Sequence, residues 1–344
     1  MTTDTDIKTL LDRVAHAEIF DEEEIAEALQ ALMSEAANDI HRAAFLMALR
    51  VRGETPPEIT GAAQFLRDRM LPVEIPPGAV DIVGTGGDGH GTYNVSSCAA
   101  IVAAGTGLPI AKHGNRSVSS KSGASDVLQA LGVKIDLSPA QVAETIASAG
   151  IAFMWAPMHH PTMKVWAPAR AALRVRTLFN LLGPIANPAR VTRQILGVYD
   201  PQWVEPIADA LSNLGAEHVW VVHGADGLDE LTTTGYTIVA EVSQGTVAVF
   251  EITPEQAGLP RANIADLKGG DAETNAQAIR DLLDGKTGPF RDIVLLNAGA
   301  ALIVGERASC INEGVERAAH AIDTGKAKAT LEKLIAATNQ IVAT

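Results

Sequence analysis

Val80-Asp81-Ile82-Val83-Gly84-Thr85-Gly86-Gly87-Asp88-Gly89 is the stretch on which the reading of this chain turns. A short apolar run ends in a glycine-rich turn. The hydroxyls of Thr92, Ser96 and Ser97 follow, where a helix over residues 96–104 is expected to begin. Glycine permits positive φ and a close approach of the backbone, so successive N–H groups can converge on an anion. A helix N-terminus favours the same charge. Open α/β sheets gather their ligands at the carboxyl ends of strands. The five glycines from Gly84 to Gly91 therefore predict an anion-binding loop rather than a bare turn. The spacing is neither a dinucleotide fingerprint nor a Walker loop, since no Gly-Lys-Ser/Thr follows.

Outward from this loop, short apolar runs alternate with amphipathic segments. Strands are predicted at 80–83, 108–111, 151–155, 195–199, 219–222 and 293–296, and helices at 140–149, 204–214 and 275–283. Such alternation implies parallel strands joined by helical crossovers. Residues 236–252 differ, because β-branched runs flank Gln244-Gly245 and predict a hairpin. Upstream, the first ~70 residues read as helices alone. Asp21 and Glu24 form a capping signal ahead of Ile25, Leu29 and Leu32. A second helix starts near Asn38 with Ile40, Ala44, Met47 and Val51 on one face. Pro56-Pro57 opens a third, carrying Ile59, Ala63 and Leu66. Residues 71–77 read as a linker. Residues 168–182 read as helical again, either as a crossover or as a return to the N-terminal unit. The fold class is thus α/β: a small all-helical N-terminal domain and a larger α/β domain with a mostly parallel central sheet.

The chain has 344 residues, 47% hydrophobic and 20% charged, with a formal net charge of −14. This composition fits a globular protein. The negative surface argues against nucleic acid and anionic membrane as partners. The polar first 13 residues lack the apolar core of a secretory signal, and no apolar run approaches ~18 residues. Cys98 and Cys310 cannot build a disulfide framework, so the cytoplasm is the expected compartment.

Three further clusters carry chemistry. Lys112-His113-Gly114-Asn115-Arg116-Ser117-Val118-Ser119-Ser120-Lys121-Ser122-Gly123 packs three cations, four serine hydroxyls and two glycines into twelve residues. That density suits a phosphate or diphosphate. Asp226-Gly227-Leu228-Asp229-Glu230 reads either as a turn with a helix cap or as a hard-oxygen magnesium site. A diphosphate nearby favours the metal. Arg170, Arg174 and Arg176 offer forks for a carboxylate, with solvation as the ordinary alternative and nothing local to choose among them. His159 and His160 read equally as a catalytic base or as packed histidines. Trp155, Trp166 and Trp220 read as packing residues.

Taken together, Gly84-Thr85-Gly86-Gly87-Asp88, Asn94-Val95-Ser96-Ser97, Lys112 to Ser122, His160-Pro161, Arg176 to Pro184 and Asp229-Glu230 resemble the anthranilate phosphoribosyltransferase family, in the same order along the chain. The resemblance implies transfer of the phosphoribosyl group of 5-phosphoribosyl 1-pyrophosphate to anthranilate, with release of pyrophosphate, in tryptophan biosynthesis. It implies residues 1–75 with 165–190 as a helical, dimer-forming domain, and 76–164 with 191–344 as the α/β domain. It implies that Gly84, Gly87, Asp88, Thr92, Asn94, Val95, Ser96, Ser97, Lys112, His113, Gly114, Asn115, Arg116, Ser117, Val118, Ser119, Ser120 and position 124 bind the sugar diphosphate. Ser96, Asp229 and Glu230 would serve Mg2+, two ions per subunit being expected, and Gly84, Asn115 and Arg170 would contact anthranilate. No proton-abstracting residue is required, and Lys112 and Arg116 would act electrostatically. Three departures from the family stand out. Ser97 stands where Thr is usual, Ala124-Ser125 where Ser-Ala is usual, and Arg174 where Gly is common. A pyrimidine nucleoside phosphorylase and a non-catalytic nucleic-acid-binding relative are the alternative readings. The acidic pair argues against both, and the −14 charge against the second.

Overall fold

The computed structural model describes residues 6–116 and 122–342. Ser117, Val118, Ser119, Ser120 and Lys121 therefore lie outside the described residues. Four helices open the chain: α1 (Ile7–Ala15), α2 (Glu22–Met33), α3 (Asp39–Arg52) and α4 (Pro56–Arg67). Their starts follow local capping chemistry. Asp21 accepts from the Glu23 and Glu24 N–H groups while Glu24 accepts from the Asp21 N–H. Asn38 caps α3 through the Ile40 and His41 N–H groups. These contacts satisfy backbone donors that a helix cannot pair internally.

The buried face of α3 differs from the expected one. Phe45, Leu46 and Leu49 face the core, whereas Ile40 is 76% and Val51 82% exposed. Apolar residues occupy two stripes of this helix, and periodicity alone ranks them equally. Arg42 obscures the true core stripe, because its buried guanidinium donates to the Leu32 and Ala37 carbonyls.

The remaining elements are β1 (Val80–Gly84), α5 (Val95–Gly105), β2 (Ile110–Gly114), α6 (Ala124–Ala130), α7 (Pro139–Ala149), β3 (Ile151–Trp155), α8 (Ala156–His159), α9 (Met163–Leu173), α10 (Leu178–Ile185), β4 (Arg193–Gly197), α11 (Val204–Asn213), β5 (His218–Gly224), β6 (Thr237–Ser243), β7 (Thr246–Ile252), α12 (Ala272–Leu283), α13 (Pro289–Val304), α14 (Ile311–Asp323) and α15 (Lys326–Val342). The seven strands form one sheet in the order β3-β2-β1-β4-β5-β6-β7. The first five run parallel, and β6 and β7 are antiparallel. The protein is therefore a helical N-terminal unit joined to an α/β domain with a mostly parallel sheet. Positive φ at Gln244 and Gly245 makes the β6–β7 turn the tight kind that matches strand twist.

The parallel part of the sheet is buried on both faces, whereas the edge strand β7 is largely exposed. Ile195 and Val222 belong to one hydrophobic cluster, with α5 and α13. Leu196 and Val221 belong to another, shared with the N-terminal helices. Within the second, α9 packs on α3, and α10 on α3 and α4. Among the described residues no helix is long and apolar enough to cross a membrane.

Three local expectations are corrected. Residues 293–296 are not a strand but the first half of α13, in which Ile293 to Leu302 are buried. A helix surrounded by protein has no polar face and hence no visible period. Its start signal is Gly288 before Pro289. Residues 168–182 are two helices broken at Arg174, which adopts φ +52°. Finally, β2 runs later than expected, so Lys112, His113 and Gly114 lie in the strand rather than after it.

Candidate active site

The carboxyl ends of β1 and β4 meet in register, Gly84 opposite Gly197. Both glycines lie against Asp229, and a Cβ at either would overlap it. This pair of bare strand ends lets the loop after β5 fold down onto the glycine-rich loop. There Asp229 Oδ2 accepts the Gly86 N–H at 2.6 Å, and Glu230 Oε1 accepts the Ser96 N–H at 3.1 Å, in the first turn of α5. The structure thus brings the acidic pair and the glycine loop together. Gly197 is a partner that the sequence did not reveal. Its only local trace is a glycine at a strand end.

Burial pushes the Asp229 carboxyl up to about 7, with Asp88 adding repulsion. Burial, then Asp229, pushes Glu230 up to about 8. Two carboxylates so disposed favour a cation or a proton. Lys112 lies buried beneath them, its ammonium donating to the Ile82 carbonyl. Burial lowers its pKa, against the pull of Asp81, Glu230 and Asp229. Among the described residues no three Asp, Glu, His or Cys side chains group as a metal cage. Two hard carboxylate donors fit Mg2+, which keeps waters and substrate oxygens for the rest of its shell.

β1 and β2 share only the Val80–Ile110 register point. Beyond it, side chains fill the gap: Asp81 accepts from the His113 N–H at 3.1 Å and the Asn187 amide at 2.8 Å. This buried network, which sequence reading missed, holds the strand that carries Lys112 and His113. Burial raises Asp81 to about 6.

The other expected residues are distributed around this centre. Asp88 accepts the His90 N–H. Thr92 bridges to Lys268 and Asn94 accepts from Asn275. Val95 and Ser97 are buried in α5, and the Ser97 hydroxyl has no partner among the described residues. Asn115 accepts the Arg116 N–H, and the Arg116 guanidinium lies 3.6 Å from Asp126 and over Trp155. At the Ala124-Ser125 departure, Ser125 is fully buried and its hydroxyl has no partner among the described residues.

On the helical side, Arg170 lies over the Phe179 ring, 5.4 Å from its centroid, and makes no ion pair among the described residues. Burial lowers its pKa. Arg174 is exposed. Arg176 stacks 3.9 Å from the Tyr199 centroid and donates to the Gly87 carbonyl, tying the α9–α10 junction to the glycine loop. His159 and His160 are buried, and burial lowers both, His160 to about 4. They are packed, neutral histidines. The structure sets the His160 ring 5.1 Å from that of His113.

A glycine-rich strand end, an acidic pair docked on it and a helical flank bearing Arg170 suit a transferase of charged sugars. The comparisons agree. A glycosyl transferase family model for the α/β domain matches residues 76–328, and its helical bundle counterpart matches residues 8–70. The anthranilate phosphoribosyltransferase of Rhodopseudomonas palustris (strain BisB18) is 57% identical over 97% of this chain and 98% of its own length. That of Parvibaculum lavamentivorans is 57% identical over the same shares. Among solved structures, the Thermus thermophilus enzyme superposes with a TM-score of 0.90 at 42% identity, covering 96% of this chain and 99% of the other. The Saccharomyces cerevisiae enzyme in complex with PRPP and Mg also reaches 0.90, at 28% identity, covering 98% and 99%. The chain belongs to the anthranilate phosphoribosyltransferase family.

Proposed function

We propose that this chain transfers the phosphoribosyl group of 5-phosphoribosyl 1-pyrophosphate to the amine of anthranilate for tryptophan biosynthesis. The bond from ribose C1 to pyrophosphate breaks, the bond from C1 to nitrogen forms, and the amine gives up a proton. The observation that carries this reading is the docking of Asp229 and Glu230 onto the N–H groups of Gly86 and Ser96. It joins a metal-type acidic pair to a phosphate-type loop at one point.

The sugar diphosphate would lie along Gly84, Gly87, Asp88, Thr92, Asn94, Val95, Ser96 and Ser97 and the basic segment from Lys112 to Ser120. Asp229 and Glu230, with the Ser96 hydroxyl, would hold two Mg2+ ions. When bound, Mg2+ would neutralise charge developing on pyrophosphate. Arg170 would fork to the anthranilate carboxylate, beside Gly84 and Asn115. Preorganised charge and orientation would supply the acceleration, since the aromatic amine is already neutral. Burial of His113, His159 and His160 supports the absence of an essential base.

The packing of α9 and α10 on α3 and α4 supports residues 1–75 with 165–190 as one domain. The exposed stripe of Ile40 and Val51 on α3 supports a homodimer through it. The cytoplasm is the proposed compartment. Loss of anthranilate fluorescence on mixing with 5-phosphoribosyl 1-pyrophosphate and Mg2+, abolished by a chelator, is the expected result. Phosphorolysis of thymidine or uridine without metal would overturn the reading.

A further inference from the structure

We propose that Asn275 is a positioning residue that locks the two diphosphate-binding loops into one frame. The inference rests on the function proposed above. Asn275 sits in the first turn of α12, far along the chain from both loops, and is 1% exposed. Its amide Nδ2 donates to Asn94 Oδ1 at 2.9 Å and to Ser122 Oγ at 2.8 Å. Asn94 ends the glycine-rich loop at the start of α5, and Ser122 ends the basic segment that follows β2. Oδ1 of the same amide accepts the Gly270 N–H at 2.8 Å. One side chain thus uses both donors and its acceptor on three separate segments.

The segment before α12 extends this clamp. The Tyr93 N–H donates to Leu267 O, and the Gly269 N–H to Gly91 O, both at 3.0 Å. A Cβ on Gly269 would lie 2.6 Å from Asn275 Oδ1 and 2.7 Å from Thr92 O, so only glycine admits this approach. The corner at 267–275 is therefore a wall against which the glycine-rich loop is seated. Asn275 carries the connection on to the basic segment. A buried amide is suited to this. It bridges two loops without adding charge beside a polyanion, and leaving any of its partners unpaired would be costly.

The test uses Asn275→Leu, which keeps the branching of the side chain and removes every polar contact. Loss of the two hydrogen bonds to the loops, at Asn94 and Ser122, converts to a roughly 10–100-fold rise in KM for 5-phosphoribosyl 1-pyrophosphate. KM for anthranilate should rise by a clearly smaller factor, because Arg170, on another element, keeps its fork on the carboxylate while only Gly84 and Asn115 shift with the loops. Calorimetry with inorganic pyrophosphate and Mg2+ should show a matching loss of affinity. Ser122→Ala, a milder variant, should move the same two quantities in the same direction by a smaller factor. It keeps the test open if Asn275→Leu does not fold. Unchanged pyrophosphate affinity in both variants, or an equal rise in both KM values, would overturn the inference. Failure of the unmodified protein to bind pyrophosphate with Mg2+ would instead overturn the proposed function.

Discussion

Arg170 is the residue on which the acceptor assignment depends. It is largely withdrawn from solvent and no carboxylate pairs with it among the described residues. A guanidinium partly withdrawn from water and without a carboxylate among the described residues is costly unless a ligand completes it. Arg170→Ala is expected to raise KM for anthranilate roughly 10–100-fold while leaving pyrophosphate affinity unchanged. Equal losses on both substrates would remove this role. Asp81 is the matching case beneath the strands. Its carboxyl is raised from 3.8 to about 6, so between those values the folded chain holds a proton that the unfolded chain has lost. Stability should therefore fall as pH rises from about 4 to 6, and level off above. In Asp81→Asn this contribution to the slope should vanish, as read from urea midpoints across that range. Identical slopes in the two proteins would refute the assignment. Asp81 was visible in the sequence only as a polar interruption of an apolar strand. Its partner Asn187 lies 106 residues away, and no local pattern links them.

At the scale of elements, the junction between α9 and α10 explains one departure from the family pattern. Arg174 ends α9 in the left-handed region at φ +52°, where glycine carries no steric penalty. Arg174→Gly is therefore expected to stabilise the fold by up to about 1 kcal/mol, measured by urea unfolding, with turnover unchanged. A destabilised variant would mean that the arginine makes an interaction outweighing its strain. The purpose of the added charge has no explanation in the structure. Element types were legible wherever a polar face or a cap marked them, as at Asp21, Asn38 and Gln244-Gly245. They failed in α13, because a helix buried all round presents the same unbroken apolar run as a buried strand. They failed also in the facing of α3, where Arg42 occupies the core side and Ile40 and Val51 the solvent side.

For the whole molecule, the exposed stripe on α3 and the seam between its two parts matter most. Ile40 and Val51 leave apolar surface uncovered in a single chain, which the proposed dimer would cover. Ile40→Asp combined with Val51→Asp is expected to convert a dimer to a monomer in sedimentation experiments; an unaltered dimer would place the interface elsewhere. The seam is crossed by Arg176, which reaches from the α9–α10 junction to the Gly87 carbonyl and the Tyr199 ring. The sequence by itself determined the glycine-rich loop, the basic segment, the acidic pair, the caps and the strand-helix alternation. Each is written in residue types a few positions apart, where backbone conformation and local charge are set. Only the tertiary structure decided that Asp229 lies on Gly84, Gly86 and Gly197, that Asn275 spans two loops, and which stripe of α3 is buried. Those facts depend on contacts such as Gly86 to Asp229, 143 residues apart, which exist only once the sheet has brought its strand ends together.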